Sequence, residues 1–406
     1  MRKPLIMIMM VIVLLTGCDT LRGDSRSYRM DKETKYLAEL CEPIDLSHTD
    51  DITAMFERQI RSQNIVLSGE VPGVSGNADL QKYFFEAFNG MREIDYLVVE
   101  LPFSAGEILN GYMKETGEDK LDEVFDALKG KPYATEENRS FFRQLKLMLK
   151  SRGQTVRIVG VDLEYAPELS LNHLTSLIGK HASDAFPLAS ELIEAKEKGF
   201  IQADYLQVSF LSLLKDFRND PDLAMETFGN DYGDILNILV NLELVYEEMD
   251  SDKPDLFNHV RSDRMVANFL RVYDNAPNAM YYGQLSNPAV MQSSHLDYDW
   301  FASAIQNERD SIKNKVVSLL YTYEDCKRMI QLAGRPEVEK LDLFKFDNKT
   351  VLKAINRPYT LISLIEKDSL FNEASIIFEK DFEGAVTDYF QYLIVLKDSP
   401  AAKALE

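Results

Sequence analysis

Cations are scarce in this sequence. Against 66 Asp and Glu there are 45 Lys and Arg over 406 residues, a formal net charge of −21. Nucleic-acid binding needs clustered Lys and Arg to neutralise phosphates, so that class is excluded, as is broad electrostatic docking onto anionic lipid. With only three cysteines the chain is no disulfide-dense scaffold. Cys41 and Cys326 either pair or remain as two buried thiols. The five histidines, His48, His173, His181, His259 and His295, are scattered without metal-ligand spacing. His295 falls in a loop after the fourth strand read below and is the histidine nearest to candidate chemistry. No apolar run is long enough to span a bilayer, and no Gly/Ser or Pro-rich linker, internal repeat or low-complexity tract divides the chain. There is no G-x-S-x-G elbow, no H-E-x-x-H, no dinucleotide fingerprint and no P-loop.

What is present begins with an address. Arg2 and Lys3 precede an apolar run from Leu5 to Leu15, which ends in Leu15-Thr16-Gly17-Cys18. A short charged start, a core of this length and small residues before a cysteine resemble a bacterial lipoprotein signal. The expectation is cleavage of residues 1–18, acylation of Cys18, and a protein held at the extracytoplasmic face of a membrane by lipid alone. Residues 19–48 then read as a tether and N-terminal segment. A hydrophobic content of 45% supports a sizeable core in the remainder, 49–406.

That remainder alternates between two periods. Ile52 to Ile60, Leu80 to Met91 and Phe141 to Leu149 carry helical stripes. Ile65 to Gly69, Tyr96 to Val99 and Thr155 to Val161 are short, nearly continuous apolar runs, as in strands buried on both faces. The expectation is an α/β fold with a mostly parallel central sheet flanked by helices. Between about 166 and 275 helical patterns follow one another without strand runs, which reads as a helical insertion capping one end of the sheet. Strands resume at Ala279 to Tyr282 and Lys315 to Leu320, with weaker ones at Leu341 to Phe346 and Tyr389 to Leu396.

Three acids share one context. Glu70 follows the first strand, Glu100 ends the second and Asp162 ends the third. The carboxyl ends of parallel strands line the ligand crevice of an open α/β sheet, so these side chains are expected to converge. Like charges brought together raise at least one pKa, which makes a general base, or a seat for a divalent cation at Glu70, Glu100 and Asp162; the sequence implies no other cofactor. Taken singly, each acid reads equally well as a solvated strand end or a helix cap. Gly69, Gly73 and Gly76 form a Gly-rich turn that either presents N–H groups to an anion or simply turns.

Taken in order, these segments resemble the erythromycin esterase-like family, which shares a hydrolase superfamily with the Tiki proteases and haem-uptake proteins. The family's G-E-x-x-H-G is similar to Gly69-Glu70-Val71-Pro72-Gly73-Val74, and its second-strand glutamate to Glu100. Its W-P-W-x-T-E-E resembles Lys131-Pro132-Tyr133-Ala134-Thr135-Glu136-Glu137, its G-x-D resembles Gly160-Val161-Asp162, and its R-x-x-x-M-x-x-N resembles Arg261, Met265 and Asn268. The strand and polar turn at the family's C-terminus look like Tyr389 to Ser399.

The resemblance implies a hydrolase ancestry, with Glu70, Glu100 and Asp162 as the catalytic acids and Gly73, Tyr133, Arg261, Gln284 and Asn287 lining a ligand site. It also exposes departures. The histidine expected after Glu70 is Gly73, and H-N-x-H reads Gln284-Leu285-Ser286-Asn287. An amide takes no proton near neutral pH, so the family's usual esterase mechanism is disabled. The expectation is a degenerate member that binds an unidentified small molecule or peptide in an acidic crevice. The alternative is a hydrolase in which Glu70 and Glu100, or a bound cation, activate water.

Overall fold

The computed structural model describes residues 35–405, apart from 182–184, 200–201, 249–253, 296–297, 333, 345–348, 366–371 and 373–384. Cys18 and the lipoprotein-like leader lie outside the described residues. Apolar runs in the sequence become an eight-stranded sheet in the order β1-β9-β10-β6-β2-β5-β3-β4. The strands are β1 (Cys41–Pro43), β2 (Ile65–Glu70), β3 (Tyr96–Pro102), β4 (Arg157–Asp162), β5 (Tyr281–Ser286), β6 (Val316–Glu324), β9 (Tyr359–Ser363) and β10 (Tyr392–Lys397). Neighbours from β10 to β4 run parallel; β9 is antiparallel to both β10 and β1. A separate antiparallel hairpin, β7 (Cys326–Leu332) and β8 (Arg335–Leu341), follows β6 directly.

The near-continuous apolar strands are explained by burial on both faces. Val66, Leu97, Val99, Tyr282, Tyr321 and Ile394 belong to one core, and Ile65, Leu67, Val98, Tyr281, Leu320 and Leu393 to the other. Alternate residues along each strand thus enter opposite layers, and no polar face remains to break the run. The first layer receives helices α1 (Asp50–Ser62), α2 (Gly76–Met91), α3 (Phe103–Lys114), α4 (Asp119–Ala127) and α5 (Glu136–Arg152). Helix α5 starts where Thr135 Oγ1 accepts the Asn138 N–H and stops at left-handed Gly153, so Thr135-Glu136-Glu137 is first of all a helix start.

From β4 to β5 the described residues hold helices and no strand: α6 (Pro167–Ile178), α7 (Pro187–Glu197), α8 (Ala203–Asn219), α9 (Pro221–Phe228), α10 (Tyr232–Glu248) and α11 (Pro254–Tyr273). Helices α6, α7 and α9 each carry proline in their first turn, where the missing N–H costs nothing. Helices α6 to α10 enclose a third apolar core of their own, joined by Phe103. Helix α11 does not belong to that cap: Met265, Phe269 and Tyr273 pack on the sheet. Helices α12 (Phe301–Glu308) and α13 (Lys349–Ala354) complete the elements used below.

The strand expected at Leu341 to Phe346 is not there. Leu341 ends β8, residues 342–344 are irregular, and 345–346 lie outside the described residues. Strand β8 itself escaped notice because it is a charged, mostly exposed segment, Arg335-Pro336-Glu337-Val338-Glu339-Lys340-Leu341, held by its hairpin partner and not by burial. Cys41 and Cys326 are both free thiols, half-buried and buried respectively.

Candidate functional site

Strand β2 lies between β5 and β6, while the chain runs outward from β2 to β3 and β4 before returning. The connection changes side here, which is where an open α/β sheet forms its crevice. Glu70 ends β2 and is 7% exposed. Its Oε2 accepts a hydrogen bond from Gln284 Nε2 of β5 at 2.9 Å. Gln284 Oε1 in turn accepts from the Tyr321 hydroxyl at 3.1 Å. Beneath them the Tyr323 hydroxyl donates to Asn77 Oδ1 at 3.0 Å and accepts the Val71 N–H at 2.8 Å. Burial, and secondarily the charge of Glu100, pushes the Glu70 carboxyl up to about 8, against the opposing bonds from Asn77 and Gln284.

Arg261 of α11 joins the other two acids. Its Nε and one terminal nitrogen grip Asp162 at 2.7 and 2.6 Å, and that nitrogen also reaches Glu100 Oε1 at 2.5 Å. The second oxygen of Glu100 accepts the Ser286 N–H at 2.6 Å. Burial disfavours the Arg261 charge, but Asp162 and Glu100 outweigh it and hold the guanidinium well above its ordinary value. Burial likewise raises Asp162, whose oxygens are held by Arg261 and the Leu163 N–H. Asn268, two helical turns beyond Arg261, donates to the Val161 carbonyl at 2.8 Å and fixes α11 against β4.

The three expected acids therefore fall in one row, Glu70, Glu100, Arg261, Asp162, with a guanidinium between Glu100 and Asp162. Among the described residues no group of three His, Cys, Asp or Glu side chains is arranged to hold a metal. The donor set does not fit a divalent cation, because Asp162 and one oxygen of Glu100 already serve a fixed cation.

Tyr133 enters from the loop before α5. Its hydroxyl is buried and has no hydrogen-bond partner among the described residues. Burial, then the charges of Glu70 and Glu100, push it up, so it stays a neutral donor facing the acids. Tyr165 is raised by burial and by Asp162, and belongs to the same neighbourhood. Sequence reading missed Tyr165, Asn77, Tyr321 and Tyr323. The two tyrosines two apart on β6 were the available signal, since that spacing puts both on one sheet face. Glu164 was also missed. It is fully buried, takes the Ser104 N–H at 2.8 Å and the Ser170 hydroxyl at 2.7 Å, and is raised by burial to about 7.

Gly73 is not an open wall of the crevice. It has φ +92°, and a Cβ placed there would lie 2.0 Å from the Met329 carbonyl oxygen of β7. Its own carbonyl accepts the N–H groups of Met329 and Ala402, both at 2.8 Å. The Gly-rich turn spends its N–H groups internally: Val71 on Tyr323, Ser75 on the Pro400 carbonyl and Gly76 on Ser399 Oγ. Asn287 donates to the Tyr321 carbonyl at 3.2 Å, while its Oδ1 is buried without a partner and packs on Gly69.

No family profile and no curated protein matches the chain at the level of sequence. Solved structures do. A Bacillus cereus protein superposes with TM-score 0.66 at 14% identity, covering 93% of this chain and 99% of its own. An erythromycin esterase variant in its open conformation gives TM-score 0.61 at 13% identity, covering 92% and 98%. This chain has the erythromycin esterase-like fold. A succinoglycan biosynthesis protein superposes on it with TM-score 0.65 at 13% identity, over 92% of this chain and 98% of its own.

Proposed function

We propose that this protein is a lipid-anchored, extracytoplasmic member of the erythromycin esterase-like family that binds a ligand in the crevice above Glu70 and Glu100 and does not hydrolyse esters by the family's usual route. One observation carries the reading. The place where the family resemblance puts a base is Gly73, and that glycine is pinned under the Met329 backbone with no room for any side chain. Gln284 and Asn287, at the other two histidine positions, are committed to Glu70 and to Tyr321. Glu70, pushed up to about 8 chiefly by burial, holds its proton more tightly than an ordinary carboxyl, while its Oε2 accepts from Gln284. The unpartnered Tyr133 hydroxyl beside the acids offers a donor to a polar ligand with acceptor oxygens.

The test is a panel of macrolide lactones, simple aryl esters and peptides, incubated with the protein at pH 7 with and without manganese. No turnover is expected. Turnover that Glu70→Gln abolishes would overturn the reading. The second reading, a hydrolase using Glu70 as base, draws on the same raised carboxyl: its rate would climb as pH rises through about 8, where Glu70 ionises. Anchoring is tested separately, by labelling cells with a radioactive fatty acid. The label should appear on the protein and vanish in Cys18→Ala.

A further inference from the structure

A second cleft lies away from the carboxylate row, between α10, α11 and α12. Its volume is about 690 Å³, within the range of small-molecule sites. Leu236, Val240, Val266, Leu270 and Ala304 give it apolar walls, and Arg264 stands among them. Arg264 has no carboxylate partner among the described residues. One terminal nitrogen donates to Asn237 Oδ1, and its Nε is buried with no acceptor. The Asn237 Nδ2 and the Arg271 Nε are likewise buried donors without acceptors. All three orphan groups donate; none accepts.

Most other charges at the cleft are paired with an opposite charge; Asp263 keeps its negative charge, accepting only a neutral hydroxyl. Asp274 takes two bonds from Arg309, at 3.0 and 2.9 Å. Asp263 accepts the Tyr298 hydroxyl at 2.6 Å, and Arg271 is paired with Asp234 at 2.6 Å. Glu308 lies 4.0 Å from Arg309. Arg264 is thus a partly buried cation whose charged neighbour is a second guanidinium, in a chain of net charge −21. Burial, then Arg271, lowers its pKa to about 10, which still leaves it charged at neutral pH. A buried charge without a counter-charge is costly, and a ligand carrying an oxyanion removes that cost.

We propose that the α10–α11–α12 cleft binds a small amphiphilic anion, a carboxylate or phosphate on an apolar body, with Arg264 as its counter-ion. The acid group meets the Arg264 guanidinium, while the apolar body lies along Leu236, Val240 and Leu270.

Isothermal titration of the full chain in detergent with octanoate, octyl phosphate and octanol tests this. Both anions should bind, and octanol should bind at least about tenfold more weakly, since the charge-assisted bond is absent. Arg264→Met should cost the anions at least about tenfold and leave octanol unchanged. Arg264→Gln keeps a donor for Asn237 and should show the same loss if the methionine variant fails to fold. Octanoate against octyl phosphate separates carboxylate from phosphate. Phosphatidylglycerol vesicles separate a free ligand from a lipid headgroup. No binding of either anion, binding to vesicles alone, or equal affinity in wild type and Arg264→Gln would overturn the proposal.

Discussion

Arg261 decides the electrostatics of the crevice, because two carboxylates depend on one guanidinium. Replacing it with methionine leaves Asp162 and Glu100 buried without compensation, and breaking a buried pair from one side costs about 3–5 kcal/mol. Urea unfolding of Arg261→Met should show a loss of that size at pH 7. Glu70 acts in the opposite sense, since its folded-state pKa is raised and the native state holds its proton more tightly than the unfolded chain. Stability from this group is complete below about pH 4.5 and is lost as pH rises through about 8. Glu164 adds a similar loss through about 7. Unfolding midpoints measured at pH 5, 7 and 9 should therefore fall with pH by a few kcal/mol in stability, and Glu70→Gln should remove the later part of that fall. A midpoint that rises from pH 5 to 9 would show that these carboxyls fold in their charged form.

Glycines set the approach of whole elements at two places. At Gly160 an added methyl would lie 2.2 Å from the Pro102 carbonyl oxygen, beside the register shift that turns Glu100 in β3. At Gly73 it would meet β7, and φ +92° is strained for any other residue. Gly73→Ala should cost about 1–3 kcal/mol and speed amide exchange at Met329, because the bond from that N–H to the Gly73 carbonyl must give way. The central strands and most helices were legible because burial on both faces makes apolar runs and one-sided burial makes stripes. The hairpin of β7 and β8 was not, since Arg335 to Lys340 has the composition of a loop and becomes a strand only by pairing. Helix α11 announced its helicity but not its allegiance: its stripe fits a cap as well as a sheet, and only the Arg261 and Asn268 contacts decide.

At the scale of the molecule, three carboxylates at three strand ends share one side of the sheet, because parallel strands deliver their carboxyl ends to one edge. The occupant of that edge could not be read. Which cation meets the acids depends on a helix about 100 residues further along, and the tyrosines that support Gln284 come from β6. Residues 401–405 also pack on this region. Val74 and Ala401 form a bridge, Thr135 and Ala404 another, the Leu405 N–H donates to the Ala134 carbonyl, and the Lys403 N–H donates to Glu137. Residues 401–405 thus stitch the turn carrying Gly73 to the loop carrying Tyr133. A stop codon after Lys397 would spare every strand of the sheet yet part the Gly73 turn from the Tyr133 loop, so a clipped preparation should fold while loosening the Glu70 edge and leaving the α10–α11–α12 cleft intact.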